Sequence, residues 1–258
     1  MSTALITGAS SGIGAVYADR LARRGDDLIL VARNRDRLEA LAARLIEETG
    51  RKVEVLAADL ADEVDLARVE EVLRSERDIT VLVNNAGVGG VGPLVESDVD
   101  AVQAMITLNV TALTRLTYAY VPGAVERGEG TVINIGSVVG VAPEFLNGVY
   151  GATKAYVLAL TQSLQHELAA TDVRAQAVLP NATATEFWDV AGRPLSNPDG
   201  VMSAEDLVDA ALVDLDRGQL VSIPPLQDQE QWEAYESARG VLKANFGSGT
   251  PAPRYANA

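Results

Sequence analysis

The chain alternates between short apolar runs and longer segments whose apolar positions repeat with a helical period. Seven apolar runs occur: ALIT, DLILVA, KVEVLAA, ITVLVNN, GTVINIG, VRAQAVLP and QLVSI. Several are apolar at consecutive positions, as is typical of strands covered on both faces. Between them lie amphipathic segments such as RDRLEALAARLIEETG, which ends on Gly50 as a helix C-cap would. This alternation predicts an α/β fold, a doubly wound seven-stranded parallel sheet with helices on both faces.

The 258 residues contain no linker rich in proline, glycine and serine, so we expect a single domain over residues 1–258. Segment 183–203 breaks the rhythm after the sixth strand with prolines, glycines and the pair Phe187-Trp188. Ligands of open α/β sheets bind beyond the carboxyl ends of the strands, so this segment is placed to be a substrate lid. An ordinary connecting loop with a short helix is the alternative. The polar tail 247–258 is expected to be disordered or docked on a neighbouring subunit.

The net charge of −15 argues against nucleic acid or an anionic membrane surface as a partner. The absence of cysteine excludes disulfides and thiolate chemistry, and the single His166 leaves no cluster of ligands for zinc. We therefore expect no metal site. The N-terminus lacks the basic and apolar regions of a signal peptide, and no apolar run approaches the roughly 20 residues of a membrane span. These features predict a soluble, cytoplasmic protein.

A glycine-rich turn, TGASSGIG at residues 7–14, connects the first strand to the first helix. Gly8, Gly12 and Gly14 would let the backbone approach a pyrophosphate, and the helix N-terminus offers free N–H groups and a positive dipole end. Tight turns between a strand and a helix also use glycine for steric reasons. The position of this turn in the chain favours a dinucleotide site.

Arginine follows the second strand, where an acidic residue would bind an adenosine ribose hydroxyl. Ala32 comes first and Arg33 next, with further arginines close behind. A guanidinium can pair with a 2′-phosphate through a forked, charge-assisted contact. We therefore predict NADP(H) as the cofactor in preference to NAD(H), with a merely solvated arginine as the alternative.

Two further strand ends carry residues that suit a dinucleotide. Asp59, after the third strand, could meet the exocyclic amine of an adenine or could cap the following helix. Ala86 and Gly87, after the fourth strand, would let the backbone pass close to the cofactor. A plain glycine turn explains the second pair equally well.

Residues 147–156, NGVYGATKAY, hold two tyrosines and one lysine. Tyr150 lies four positions before Lys154, and Tyr156 lies two after it. Side chains four apart share one face of a helix, whereas side chains two apart do not. If the segment is helical, only Tyr150 can share a site with the ammonium; an aromatic residue beside a surface lysine is the alternative.

Together these signals resemble the short-chain dehydrogenase/reductase family along nearly the whole chain. The matching pieces, in order, are TGASSGIG, Asp59-Leu60, NNAG at 84–87, Asn109 in LNV, Ser137 in INIGS, and Tyr150-x-x-x-Lys154. The resemblance implies a Rossmann sheet, nicotinamide-dependent oxidoreduction of a ketone or secondary alcohol, and a homodimer or homotetramer.

The resemblance also implies a catalytic set of four residues. Tyr150 would be the general acid or base, and Lys154 would lower the pKa of its phenol and hold the nicotinamide ribose. Ser137 would donate a hydrogen bond to the substrate oxygen. Asn109 would connect Lys154 to solvent through water, with a structural kink in its helix as the alternative.

The cofactor residues implied by the same comparison lie at the strand ends. They are Gly8, Ser10, Ser11, Gly12, Ile13, Gly14, Arg33, Asp59, Leu60, Asn85, Ala86, Gly87, Tyr150, Lys154, Pro180, Thr183 and Thr185. One departure follows the sixth strand, where the family commonly has Pro-Gly and this chain has Pro180-Asn181. Because asparagine tolerates positive φ, we expect the turn to survive.

The expected substrate side is largely apolar and comprises Ser137, Tyr150, Phe145, Phe187 and Trp188. It favours a medium-sized, mostly apolar ketone or secondary alcohol. A non-catalytic NADP(H)-binding sensor is the alternative from another functional class, although a sensor has no need of Tyr150 and Ser137 together.

Overall fold

The computed structural model describes residues 2–90, 92, 94–146, 148–190 and 200–255. Its described part contains one seven-stranded sheet in which every pairing is parallel. The strands are β1 (Thr3–Thr7), β2 (Asp27–Ala32), β3 (Val53–Ala57), β4 (Ile79–Asn84), β5 (Gly130–Ile135), β6 (Val173–Val178) and β7 (Val221–Ser222). Their spatial order is β3-β2-β1-β4-β5-β6-β7. The prediction of a doubly wound α/β fold is confirmed.

Helices connect the strands. They are α1 (Gly12–Arg24), α2 (Arg35–Thr49), α3 (Glu63–Ser75), α4 (Val99–Ile106), α5 (Leu113–Arg127), α6 (Val149–Glu167), α7 (Phe187–Val190) and α8 (Ala204–Asp216). A π-helical segment, Thr107–Ala112, joins α4 to α5. The predicted C-cap of α2 is present, since Gly50 adopts the left-handed conformation with φ 67°.

The strands are apolar on consecutive positions because both sheet faces are covered. In β2, Leu28 and Leu30 point into a core with α1, α2 and α8, whereas Ile29 and Val31 point into a core with α3, α5 and α6. All four side chains are at most 5% exposed. The right-handed crossovers thus bury each strand from two sides and leave its carboxyl end free.

The chain divides into two compact units, residues 1–224 and 225–258. The second contains α9 (Gln229–Ala244), where Trp232 stacks on Tyr235 with ring centres 5.1 Å apart. Two expected segments extend past what the structure describes. Residues 191–199 of the expected lid and 256–258 of the expected tail lie outside the described residues.

Candidate active site

A cleft of about 790 Å³ opens at the carboxyl ends of the strands, where the strand order reverses between β1 and β4. Most of the site residues predicted from the sequence line it. They are Gly8, Ser10, Ser11, Gly12, Ile13, Arg33, Asp59, Leu60, Asn85, Ala86, Gly87, Ser137, Phe145, Tyr150, Lys154, Pro180, Thr183, Thr185, Phe187 and Trp188. The two exceptions, Gly14 and Asn109, do not line the cleft.

The glycine-rich turn is held by close backbone packing. Gly8 has φ 64°, a conformation that L side chains rarely adopt. A Cβ on Gly14 would lie 2.3 Å from the Gly8 carbonyl oxygen, so that position has no room for a side chain. The amide of Asn85 donates to the carbonyls of Thr7 and Gly8 at 3.0 and 3.1 Å. The steric reasons for glycine therefore apply here, whatever the turn binds.

The N-terminus of α1 faces this cleft without a side-chain cap. Ser11 occupies the N-cap position but its side chain accepts no hydrogen bond from the helix, and the first turn holds no acidic residue. The leading N–H groups and the positive end of the helix dipole are therefore suited to an anion. The methyl group of Thr185 lies against this turn, 2.9 Å from where a Cβ of Gly12 would be.

Two arginines at the adenosine end of the cleft differ in whether their side chains form ion pairs. Within the part of the chain that the structure describes, Arg33 makes no ion pair or hydrogen bond through its side chain. Arg37 instead donates to Glu186 with an Nη1–Oε2 distance of 2.6 Å. The exposed, unpaired guanidinium of Arg33 is thus free to bind an anionic group.

Asp59 does not cap the following helix, so that alternative is wrong. The N-cap of α3 is Asp62, whose side chain accepts from the N–H groups of Val64 and Asp65. Asp59 accepts from the N–H of Ala61 two residues later, in a local turn at the cleft edge.

Asn109 sits in the π-helical segment, and its side chain is 2% exposed. Its Oδ1 accepts from the Val88 N–H at 2.9 Å, and its Nδ2 donates to the Val88 carbonyl at 2.8 Å and to Thr153 Oγ1 at 3.2 Å. A π-helical turn widens the helix, and such turns are frequent at functional sites. The side chain therefore fixes the segment after β4 against α6.

Ser137, Tyr150 and Lys154 meet at the buried end of the cleft. Ser137 follows β5, and its Oγ makes long hydrogen bonds with the Pro180 carbonyl and the Val139 N–H, at 3.3 and 3.4 Å. Tyr150 and Lys154 lie one turn apart on α6, with Lys154 Nζ 5.7 Å from the centre of the Tyr150 ring. All three side chains are buried, which confines their chemistry to the cleft.

The expected lowering of the Tyr150 pKa is not found. Burial raises the pKa of its hydroxyl, and the hydrogen bond with Ser137 opposes only part of that rise. Burial also lowers the pKa of the Lys154 ammonium to about 8, while its Nζ donates to the Ile135 carbonyl at 2.9 Å. In both groups burial is the largest cause of the shift.

The buried ammonium leads to a prediction for the pH dependence of stability. Folded protein loses the Lys154 proton near pH 8, whereas an unfolded chain loses it near its ordinary pKa of 10.5. Below pH 8 the buried charge costs roughly 3 kcal/mol, since one pKa unit corresponds to about 1.4 kcal/mol. Between the two values the unfolded chain binds more protons, so the stability that this group contributes rises with pH.

We therefore expect Lys154→Met to be stabilised relative to the wild type at about pH 7, and to lose most of that advantage by about pH 10. Denaturant unfolding at both pH values measures the difference. Because loss of the hydrogen bond to the Ile135 carbonyl also changes the stability of the variant, the test is how the difference varies with pH and not its size at one pH. Exposed Lys52→Met is the matched control. A Lys154→Met difference that does not vary with pH would contradict the assignment.

The turn after β6 survives for a reason other than the expected one. Asn181 does not adopt a positive φ, so its tolerance of that conformation is not used. Its Nδ2 instead donates to the Gly200 carbonyl at 2.9 Å. A parallel bridge between Thr183 and Met202 joins the same two stretches. The described ends of the expected lid are thus tied together at its base.

The expected substrate residues differ in their surroundings. Phe187 packs on Tyr150, with ring centres 5.6 Å apart, and Trp188 donates from Nε1 to the Thr183 carbonyl at 3.0 Å. Phe145 lines the cleft but is 72% exposed. Val139 and Leu146 also line this apolar end. Both belong to the apolar segment VVGVAPEFLNGV that follows Ser137, which is a candidate for the substrate side from its sequence.

Among the described residues, no helix combines the length and the apolar character required to cross a membrane. The same part of the chain holds no group of three or more histidine, aspartate or glutamate side chains arranged to bind a metal ion.

Known proteins resemble this chain in both sequence and structure. A short-chain dehydrogenase from Sphingobium yanoikuyae, solved in complex with NADPH, is 52% identical with a TM-score of 0.96, and the match covers 99% of this chain and 100% of that one. A bulky-bulky ketone specific alcohol dehydrogenase from Comamonas testosteroni is 46% identical with a TM-score of 0.91, covering 99% of each chain. Neither relative supports a non-catalytic sensor.

A curated relative extends beyond the matched region. The very-long-chain 3-oxoacyl-CoA reductase of Anas platyrhynchos is 32% identical over 200 residues, or 76% of this chain, which spans 64% of that enzyme's length. Residues 2–194 match the family model described as short chain dehydrogenase. The expected resemblance is therefore confirmed, and the chain belongs to the short chain dehydrogenase family.

Proposed function

We propose that this protein is an NADP(H)-dependent oxidoreductase that interconverts a ketone and a secondary alcohol. The observation that carries the proposal is the meeting of Ser137, Tyr150 and Lys154 at the buried end of the same cleft that presents Arg33 at its other end. A proton donor, an oxygen-binding hydroxyl and a site for a phosphorylated dinucleotide are thus joined in one continuous space.

The residues present fit NADP(H). The uncapped N-terminus of α1 would hold the pyrophosphate, and Arg33, which pairs with no acidic side chain among the described residues, would bind the 2′-phosphate. The solved Sphingobium relative, which contains NADPH, supports this choice. When bound, the cofactor supplies or accepts the hydride. The protein contributes orientation and electrostatics.

Tyr150 would donate a proton to the substrate oxygen during ketone reduction. Its raised pKa keeps the phenol protonated at neutral pH, which is the form a general acid requires. Ser137 would hold the same oxygen, because its long hydrogen bonds to the protein leave the hydroxyl free to turn towards a substrate. In alcohol oxidation the proton would return from the substrate to Tyr150.

Lys154 and Asn109 would support the reacting groups. Lys154 would bind the nicotinamide ribose, with its Nζ already fixed by the Ile135 carbonyl. Asn109 would position the segment that carries Val88 through its paired hydrogen bonds. A role for Asn109 in a water chain between Lys154 and solvent stays a prediction.

The preferred substrate would be a ketone with two sizeable, apolar substituents. Val139, Leu146, Phe187 and Trp188 give the substrate end of the cleft an apolar lining, which suits burial of alkyl and aryl groups. The description of the Comamonas relative as specific for bulky-bulky ketones supports the same class.

Turnover with a panel of ketones tests the proposal. Purified protein is mixed with NADPH or NADH and with ketones whose two substituents increase in size, and cofactor oxidation and alcohol formation are followed together. We expect NADPH-dependent formation of one alcohol per cofactor oxidised. Binding of NADPH without turnover of any ketone or alcohol would contradict the proposal.

We further propose that the enzyme works in the cytoplasm as a homodimer or homotetramer. Exposed apolar side chains on α4, α5 and α6, such as Val99, Tyr118 and Tyr156, support self-association. A cytoplasmic site suits an enzyme that draws on the cellular NADPH pool. Light scattering of the purified protein and fractionation of cells test these two points.

A further inference from the structure

Phe187 is wedged between the segment after β4 and the reacting tyrosine. The far end of its ring points at Gly89: a Cβ on that glycine would lie 2.3 Å from Cζ and 3.0 Å from both Cε atoms. Carbon atoms in contact ordinarily lie about 3.5–4.0 Å apart. The ring therefore occupies space that any other residue at position 89 would fill.

Position 89 requires glycine because there is no room for a side chain, and not because the backbone adopts a conformation that only glycine tolerates. Gly89 does not belong to the glycines with positive φ, so an alanine could adopt its backbone conformation without strain. Gly92 in the same segment provides the contrast, because a Cβ added there would meet nothing within 4 Å. Among the glycines that the structure describes, Gly89 alone has the ring of Phe187 in the space of its missing side chain.

The other side of Phe187 defines the substrate end of the cleft. Its ring lies 5.6 Å from that of Tyr150 at a tilt of 48°, and 5.5 Å from that of Trp188 in an edge-to-face contact. Trp188 is itself fixed through the Thr183 carbonyl. The Phe187 ring therefore forms a wall of the cleft beside the Tyr150 hydroxyl. The space left by the absent side chain of Gly89 determines how far this ring can lie from the substrate.

We propose that Gly89 is a specificity-determining residue. Its missing side chain leaves room for the Phe187 ring, and one substituent of the ketone packs against that ring. The inference rests on the proposed function. An alanine at position 89 would displace the Phe187 ring from its present position. A substrate whose substituent reaches the wall would lose a contact, and a substrate with a methyl group on that side would not.

The test compares two ketones that differ only at one substituent, propiophenone and 2-butanone, in a double-mutant cycle. The selectivity is the ratio of their kcat/KM values with NADPH. We expect Gly89→Ala to lower the ratio by about tenfold, within the range by which apolar pockets discriminate between substrates. Phe187→Ala should have a similar effect. Adding Gly89→Ala to Phe187→Ala should change the ratio by no more than about twofold, because the clash is gone.

Gly92→Ala is the matched control and should leave the ratio unchanged. Thermal unfolding and NADPH affinity of each variant exclude a general loss of structure, and Phe187→Leu offers a milder change should Phe187→Ala fold poorly. An unchanged ratio in Gly89→Ala, or an equal drop with and without Phe187, would overturn this inference alone. If the wild type turned over neither these two ketones nor any other ketone of the panel, the proposed function and the inference with it would be overturned.

Discussion

Replacing Tyr150 by phenylalanine should lower kcat for ketone reduction by a factor of about 100 to 10,000, the usual contribution of a general acid. The change removes the hydroxyl that forms a hydrogen bond with Ser137 at the buried end of the cleft. It keeps the ring that packs on Phe187 at 5.6 Å, so the fold and the cofactor cleft should persist. Steady-state kinetics with propiophenone, together with NADPH titration, separate lost chemistry from lost binding.

The same helix supplies the control. Tyr156 lies two positions beyond Lys154, is 38% exposed, and its hydroxyl is 2.8 Å from Thr114 Oγ1. Tyr156→Phe removes an equal hydroxyl on another face of α6 and should leave kcat unchanged, because Tyr156 does not line the cleft. Wild-type turnover in Tyr150→Phe would mean that the proton donor is another group.

Removal of the Arg33 side chain should distinguish the two dinucleotides. We expect Arg33→Ala to weaken NADPH binding about 10- to 100-fold, because hydrogen bonds to charged groups contribute roughly 1.5–3 kcal/mol. NADH lacks the 2′-phosphate, so its affinity should change by less than about twofold. Fluorescence titration of the variant with each cofactor gives both dissociation constants.

Arg35→Ala tests whether any nearby positive charge would serve. Arg35 does not line the cleft and pairs with Glu39 at 3.5 Å on the exposed side of α2. Its removal should leave the preference for NADPH in place. An equal loss of NADPH and NADH affinity in Arg33→Ala would contradict the assignment of Arg33 to the 2′-phosphate site.

The sheet could be predicted because a strand that is buried on both faces has apolar residues at consecutive positions. The run that contains Leu28, Ile29, Leu30 and Val31 admits no polar position, and the structure places alternate residues in opposite cores. The pairing of Tyr150 with Lys154 was equally accessible, since a spacing of four places two side chains on one face of any helix. Both predictions depend only on local geometry.

Contacts between distant segments were not accessible in this way. The packing of Phe187 on Tyr150, the hydrogen bonds of Asn109 to Val88 and the bond of Lys154 to the Ile135 carbonyl join parts of the chain that no periodicity relates. The prediction of a lowered pKa for the Tyr150 hydroxyl was wrong for the same reason. The sequence shows a lysine nearby but not the depth of burial, and burial decides the direction of the shift.

At two positions the residue type alone did not decide between local roles. Asp59 was a candidate helix cap, but Asp62 lies closer to the first turn of α3 and caps it. Asn181 was expected to preserve the turn through its tolerance of positive φ, but its φ is not positive, and its amide instead donates to the Gly200 carbonyl across the base of the expected lid. In each case the residue type suits several roles, and only the path of the backbone selects one.

The most direct test of the account is to mix the purified protein with NADPH and propiophenone and to follow loss of the reduced cofactor and appearance of the alcohol in the same reaction. Both should proceed together in equal amounts, and far more slowly when NADH replaces NADPH. Tight binding of NADPH with no cofactor consumed and no alcohol formed, with this ketone and across the ketone panel, would contradict it.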